Sequence, residues 1–460
     1  MDPRTVREAL KVDVALSHEM TDALRLWSDL YQNKAPWRDK DTRGLNLAAA
    51  IAGEVARLAT IEMRVGISGS ARADFLATQF ARTFPEFRSK LEWGCATGGL
   101  VIKPYPYQDK ISMNFISADR YFPTAFDADG NITGCIFVDQ HSVGDKYYTR
   151  LEYHRLVAGG CTIRNEAFKS ASRDVLGQSV PLTEIAEWAE LTPEATVANV
   201  DKLLFAHFRY PLANNIDMNS PLGISCYSRV VDLIEDADKQ WADLMWEFRS
   251  GQRALFVDPL AFRRDTLSGK LTLPQKRLFR NLESDGQLGD GDLFHEWTPS
   301  FREQSLLNGL NAILKRLEYN CGLAYGTLSD PQAVDKTATE IKASKQRTYA
   351  TVTDVQKSVR SALDQLLWAM DVWTTLYSLA PQGTYEVGYA FDDSVITDHD
   401  MQLTQDRLTV AMGAMPLLAY LRRNYGLSET EAGQWITEAT AEKLAATKLD
   451  WEGSNNALQV

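Results

Sequence analysis

Catalysis is the first chemistry to look for, and the residue spacing does not assemble it. The six histidines (His18, His141, His154, His207, His295, His399) are dispersed, with no two at metal-ligand spacing. The run Ser268-Gly-Lys-Leu-Thr carries a Gly-Lys step but lacks the first glycine of a phosphate loop. There is no G-x-G-x-x-G, no G-x-S-x-G elbow and no H-E-x-x-H. Glu184 with Glu187, and Asp392 with Asp393, are carboxylate pairs with no evident partner. The five cysteines (Cys95, Cys135, Cys161, Cys226, Cys321) never fall in C-x-x-C spacing, so buried free thiols are expected rather than a zinc or disulfide framework. Asp127-Ala-Asp-Gly-Asn-Ile lacks the spaced oxygens of a calcium loop and reads as an Asp-Gly hairpin. No catalytic, metal or cofactor site is expected.

The remaining chemistry is that of unpaired charge. From Lys336 to Arg360 the sequence carries six basic residues (Lys336, Lys342, Lys345, Arg347, Lys357, Arg360) against two acids, with small and β-branched residues between. Arg253 to Arg280 holds seven basic residues, among them Arg263, Arg264, Lys270, Lys276 and Arg277, against two acids. Glu283 to Glu296 then holds five acids, including Glu283, Asp285, Asp290 and Asp292, and no Lys or Arg. Clusters of this kind attract phosphate without regard to base sequence, or pair with complementary patches on another copy. Yet the whole chain of 460 residues is acidic, with a net charge of −12 (49 basic, 61 acidic). That balance does not favour a tight, sequence-reading nucleic-acid binder, which carries a basic excess.

Composition sets the frame for the elements that must position these charges. At 45% hydrophobic and 24% charged, the chain reads as an ordinary globular protein of about three domains. The N-terminus lacks the apolar core of a signal peptide, and no apolar run approaches the ~20 residues of a membrane span. Residues 1 to about 90 are expected to be mostly helical, with Leu47, Ile51, Val55 and Leu58 on one apolar stripe and Leu45, Ala49, Ala52, Ala56 and Ala59 beside it. Between about 97 and 210, short segments rich in β-branched and aromatic residues alternate with Gly, Asp and Asn, the pattern of a strand meander.

After Ser-Pro-Leu-Gly-Ile-Ser a long helix is expected. Val230, Ile234, Ala237, Trp241, Leu244 and Phe248 form its stripe, and Asp232, Glu235, Asp236, Asp238, Asp243 and Glu247 a solvated acidic face. The charge-segregated segment follows, with strands expected in RALFVDPLAFRRD and GKLTLPQKRLF. A second helix carries Leu306, Leu310, Ile313 and Leu317 and stops at Gly322. After a loop with Gly, Ser, Asp and Pro, a third helix runs to about Tyr377, with Val352, Val355, Val359, Leu363, Leu366, Met370 and Trp373 inward. One strand is expected near residues 380–399. The last 60 residues read as helical, with a capping box at Ser428 and Glu431 and a fraying tail.

Five stretches, in order, resemble the portal protein of tailed bacteriophages, in the branch common among phages of Gram-positive hosts. They are LRLWSDLYQNKAPW, NSPLGISCYSRVVDLIEDADKQWADLMWEFRSGQRALFV, LLNGLNAILKRLEYNCGLAYGTLS, KTATEIKASKQRTYATV and LSETEAGQW. The Lys-Thr-Ala-Thr-Glu run is modest evidence alone. The resemblance implies an α+β, mainly helical fold with a wing, a two-helix stem, a clip and a helical crown. It places N-terminal helices and wing at 1–223, stem helices at 224–250 and 301–322, and the clip at 251–300. The tunnel loop, long helix and remaining wing fall at 323–399, and the crown and tail at 400–460.

The same resemblance implies a dodecameric ring at one capsid vertex. Double-stranded DNA is pumped through it by the terminase large subunit and later ejected. Major capsid, scaffolding and head-completion or adaptor proteins are its other partners, and the virion is its location, with no membrane. The tunnel loop would bring Thr327, Ser329, Asp330, Gln332, Lys336, Lys342 and Lys345 near the DNA. The alternative for the lysines is a solvated helix face. The clip charges would meet between subunits, or dock terminase or an adaptor. Another virion assembly protein, such as a minor head protein or tail adaptor, is the competing reading. A nucleic-acid-processing enzyme is the more distant one.

Overall fold

The computed structural model describes residues 2–251, 254–257, 279–281, 294–297, 300–330, 338–391, 399–425 and 432–441; for 254–257, 279–281, 294–297, 338–344 and 399–402 it describes backbone. The described residues mix helix and sheet, an α+β protein. It divides into two compact units, Met1–Phe391 and Asp392–Val460.

Three helices open the first unit: α1 (Pro3–Leu10), α2 (His18–Tyr31) and α3 (Leu47–Thr60). Ser17 caps α2 through its hydroxyl, which accepts from Met20 N. In α3 both expected faces are inside, from Leu47 and Ala48 through Ile51, Ala52, Val55 and Ala56 to Leu58 and Ala59. A strand, β1 (Met63–Ser68), interrupts the region expected to be mostly helical. It pairs antiparallel with a strand more than 300 residues later, an interaction that local periodicity cannot announce. Then α4 (Ala71–Thr97) leads into the sheets.

The meander is present. β2 (Gly99–Tyr107) and β3 (Lys110–Ser117) form a small sheet with β10 (Ala206–Arg209), in the order β10-β2-β3. β4 (Tyr121–Phe126), β5 (Ile132–Val143), β6 (Lys146–Val157), β7 (Gly160–Ser170) and β8 (Gln178–Val180) form a sequential antiparallel sheet, with β9 (Glu194–Ala198) added on β7. The Asp-Gly segment is the β4–β5 turn. Asp127 accepts from the backbone N–H groups of Asp129 (3.0 Å) and Asn131 (2.8 Å).

Two helices then form an antiparallel pair, α5 (Val231–Ser250) and α6 (Glu303–Cys321). Between them the backbone of β11 (Ala254–Val257), β12 (Phe279–Asn281) and β13 (Phe294–Trp297) forms a sheet in the order β12-β11-β13, with β12 parallel to β11. β11 lies in the first expected strand; β12 overlaps the second only at Phe279. α6 ends at Gly322, which takes φ +72° as a left-handed stop.

The long helix α7 (Ala338–Leu376) spans 39 residues, about 58 Å at 1.5 Å per residue. From Val352 onward its stripe is buried in the main core, against α3, α4, β2 and β10. β14 (Glu386–Phe391) then closes on β1.

The second unit contains α8 (His399–Ala411), α9 (Leu417–Tyr425) and a helical segment at 432–441. Asp406 is buried and accepts from Asn424 Nδ2 at 3.0 Å. Tyr420 meets Tyr425 edge-on and Tyr425 meets Trp435 at a tilt, each with ring centres 6.1 Å apart. Ser428, Glu431 and the C-terminal tail lie outside the described residues.

Candidate functional site

The α5–α6 pair projects from the core on a firm base. Where α4 ends, Gly98 (φ +85°) meets Gly223 so closely that a Cβ on Gly223 would sit 2.2 Å from Gly98 O. The Ser-Pro-Leu-Gly-Ile-Ser run is therefore fixed by backbone contact, with Cys226 N donating to Cys95 O at 2.9 Å. Asp238 on α5, only 3% exposed, accepts from Trp37 Nε1 (3.0 Å) and Leu45 N (2.7 Å). This corrects the expectation of a uniformly solvated acidic face. Asp238 lies next to Ala237 and four residues from Ile234, on the apolar side, where an acid must find donors.

Farther out, Leu244 packs between the helices, and Gln240 Nε2 donates to Leu306 O at 3.1 Å. At the end nearest the inserted sheet, Arg302 is bound to the Glu247 carboxylate through its backbone N–H (3.0 Å) and Nη2 (2.9 Å). Those hydrogen bonds hold the Glu247 carboxyl below its usual range. Here the apolar stripe comes to the surface. Trp246, Phe248, Phe301 and Leu307 are all exposed, although Phe248 was expected to face inward. Asp232, Asp236 and Asp243 remain on the solvent side of α5.

Beyond Gly322 the chain turns back along α6. Glu318, completely buried, lies one position from Leu317 and receives the returning loop. Its Oε1 accepts from the N–H groups of Gly326 (3.1 Å), Leu328 (2.6 Å) and Ser329 (2.8 Å), and its Oε2 from Ser329 Oγ (2.8 Å). Asn311, seven residues earlier on α6, accepts from Asp330 N at 2.8 Å. α7 crosses this corner. The Arg347 guanidinium lies 4.2 Å from the Tyr319 ring centre and 5.8 Å from that of Tyr325, and Thr351 packs on Gly322.

The residues expected near the loop fall in different surroundings. Thr327 is half-buried and donates to Ala324 O at 2.6 Å. Ser329 is 4% exposed and turned onto Glu318. Asp330 and Lys345 are exposed. Lys342 is placed in α7 by its backbone; its side chain, together with Gln332 and Lys336, lies outside the described residues. So do Arg263, Arg264, Lys270, Lys276, Arg277, Glu283, Asp285, Asp290 and Asp292 of the clip-like segment.

Sequence reasoning missed a second buried charge cluster, between the two larger sheets. Lys103 on β2 reaches Glu152 on β6 at 2.5 Å, and Glu152 also meets Arg150 (3.1 Å) and His154 Nε2 (2.6 Å). Because the ionised carboxylate only accepts, His154 Nε2 carries the proton. Burial alone would raise the Glu152 carboxyl. Lys103, then the His154 hydrogen bond and the neighbouring charges, reverse this and hold it well below its usual range. Arg150 continues to Asn165 (3.1 Å) and Asp139 (3.3 Å), and Asp139 accepts from Trp188 Nε1 at 3.0 Å. The only signal was a Lys in the otherwise apolar start of β2.

All five cysteines are free and buried. Among the described residues no group of His, Cys, Asp and Glu could hold a metal, and no helix is long and apolar enough to cross a membrane. Residues 78–444 match the family described as phage portal protein, SPP1 Gp6-like. No curated protein matches the chain. The class is thus a bacteriophage structural protein concerned with DNA packaging and head-tail connection. Within it, the chain belongs to the tailed-phage portal family.

Proposed function

We propose that this chain is one subunit of a dodecameric ring at a single capsid vertex, through which double-stranded DNA enters the head and later leaves it. The observation that carries the reading, beside the family match, is the α5–α6 hairpin. Its base is held by the Gly98–Gly223 contact and by Asp238, and Trp246, Phe248, Phe301 and Leu307 toward its other end are exposed. Large apolar side chains grouped at the tip of one hairpin mark a surface that another chain covers. In a closed ring that cover is a neighbouring copy, and heterologous contacts close when the rotation does.

On this reading the sheets and the helices around them, within 1–223 and 323–399, are the wing. α5 and α6, within 224–250 and 301–322, are the stem. Residues 251–300 are the clip, 325–336 the tunnel loop, and 400–460 the crown and tail. Exposed Lys345, with Lys336 and Lys342, lies near the DNA path, where Lys contacts to phosphate are independent of sequence. An acidic body with few such contacts suits passage rather than capture. The clip's basic and acidic halves pair between subunits, leaving a face for the terminase large subunit and the adaptor. Capsid and scaffolding proteins surround the ring. The protein is a conduit rather than an enzyme, and it resides in the virion.

Negative-stain imaging of the purified protein tests this. Rings with a stain-filled central channel are expected. A monodisperse single subunit that cleaves DNA or hydrolyses nucleotide would end the reading.

A further inference from the structure

The root of the loop after α6 is organised around one carboxylate. In the segment Ala324-Tyr-Gly-Thr-Leu-Ser, Leu328 packs against the main core, and the backbone is held by polar contacts. Its backbone N–H groups at Gly326, Leu328 and Ser329 converge on Glu318 Oε1, and the Ser329 hydroxyl takes Oε2. A carboxylate is suited to this role because both oxygens only accept, and hydrogen bonds to an ionised acceptor are stronger than neutral ones. Asn311 and Glu318 are seven residues apart on α6, two helical turns and about 10 Å along one face. They catch Asp330 N and residues 326–329 respectively, so the returning strand is held at two points along the helix.

We propose that Glu318 is the positioning residue of this loop. It fixes residues 326–329 onto α6, and so determines where, and in which direction, the chain beyond Asp330 departs toward α7. With the portal reading, on which this functional half rests, Glu318 sets where the tunnel loop meets DNA without touching DNA itself. A side chain that is completely buried cannot be a DNA contact. Its effect passes through the backbone that it holds.

Amide hydrogen exchange of the purified full-length protein tests the latch. In the wild type the amides of Gly326, Leu328 and Ser329 should be protected. Glu318→Ala should speed exchange across 323–330 by at least tenfold, with the 303–317 peptide and the α7 peptide from Val352 unchanged. Glu318→Gln, which keeps one acceptor oxygen, should lie between. If Glu318→Ala does not fold, Ser329→Ala and Asn311→Ala supply the same test at lower amplitude, each loosening its own end of the segment. Unchanged exchange at 323–330 overturns the proposal. So does equal acceleration along α6, because Glu318 would then serve the helix rather than the loop.

The second arm reads DNA per particle in phage carrying each variant. Normal head assembly with reduced packaged DNA is expected, in the order Ala, Gln, wild type. A loosened loop with undiminished packaging overturns the positioning role. Failure of the portal reading shows separately, as the absence of wild-type rings, while exchange reports on the latch in any assembly state.

Discussion

Trp37 and Asp238 are joined by a 3.0 Å hydrogen bond from the indole N–H to a carboxylate that is 3% exposed. The bond ties the segment after α2 to the middle of α5, 201 residues away in sequence. Two of the stretches that carry the family resemblance are therefore partners in space.

The Trp37–Asp238 pair should be energetically coupled. Asp238→Ala leaves the indole N–H and Leu45 N without their acceptor, and should cost about 2–4 kcal/mol in urea unfolding. Trp37→Phe keeps most of the ring and should cost about 1–2 kcal/mol. The double variant should cost less than the sum. Simple additivity would show that the two residues act independently.

Gly223→Ala should be among the more damaging small substitutions. The new methyl would sit 2.2 Å from Gly98 O, a backbone atom that cannot swing away. Overpacking of this kind costs about 1–3 kcal/mol. The expected result is a lowered Tm and fewer assembled rings. An unaltered melting curve would mean that the α4–α5 junction is looser than described.

Acid should weaken the sheet region of the first unit in two stages. Burial, then the nearby Arg209 charge, pulls His207 down to about 4, and its ring bonds Tyr121 Oη at 2.9 Å. His154 is lowered too, again chiefly by burial. In both cases the unfolded state binds the proton first. The stability is complete above about 6.5, and drains as pH falls toward the folded values, at up to about 1.4 kcal/mol per pH unit for each group. Below about 4.5 the depressed Glu152 carboxyl adds a second loss of the same sign. His207→Gln should flatten the first stage between pH 6.5 and 4. A wild-type urea midpoint that stays constant from pH 7 to 5 would contradict this.

Lys103→Met should be costly despite similar volume. Glu152, 7% exposed, would lose its closest cation but keep Arg150 at 3.1 Å, so the cost should fall below the about 3–5 kcal/mol of a fully stranded buried charge. Replacing Lys103 and Glu152 together with Met and Gln should recover part of the loss. Equal stability of single and double variants in thermal melts would argue against the pairing.

Two charge predictions separate DNA handling from assembly. Replacing Lys336, Lys342 and Lys345 together by Ala should reduce DNA packaging while leaving rings intact; unchanged packaging would leave these lysines on an ordinary solvated face. Arg263→Glu with Arg264→Glu should weaken ring formation, in a manner that varies with salt as exposed charges do. Rings that form normally at every ionic strength would dismiss the clip pairing.

Much of the fold was legible because its signals are local. The α6 stripe and its Gly322 stop, the α7 stripe from Val352, and the Asp-Gly turn at Asp129 and Gly130 each reflect one periodicity or one backbone preference. What escaped notice depends on distant partners. β1 alternates Met63, Val65 and Ile67, yet it becomes a strand only against β14. Asp238 reads as one acid of a solvated face, and Glu318 stands in no motif. Their positions beside Ala237 and Leu317 were the available signal, since an acid on an apolar flank needs donors from elsewhere in the chain. Most of those donors, the backbone N–H groups of Leu45, Gly326, Leu328 and Ser329, carry no side-chain signature.

The Glu247–Arg302 clasp has an evolutionary consequence. Together with the Phe301 ring against Gly251, it brings the outgoing and incoming chains to one point. Everything between is a detour that starts and finishes at the same doorway, so its length is uncoupled from the register of the two helices. Lengthening such a closed excursion costs only a slowly growing entropy, about 0.6 kcal/mol per doubling. A portal protein built this way can exchange the whole intervening cassette without redesigning the two helices that carry it.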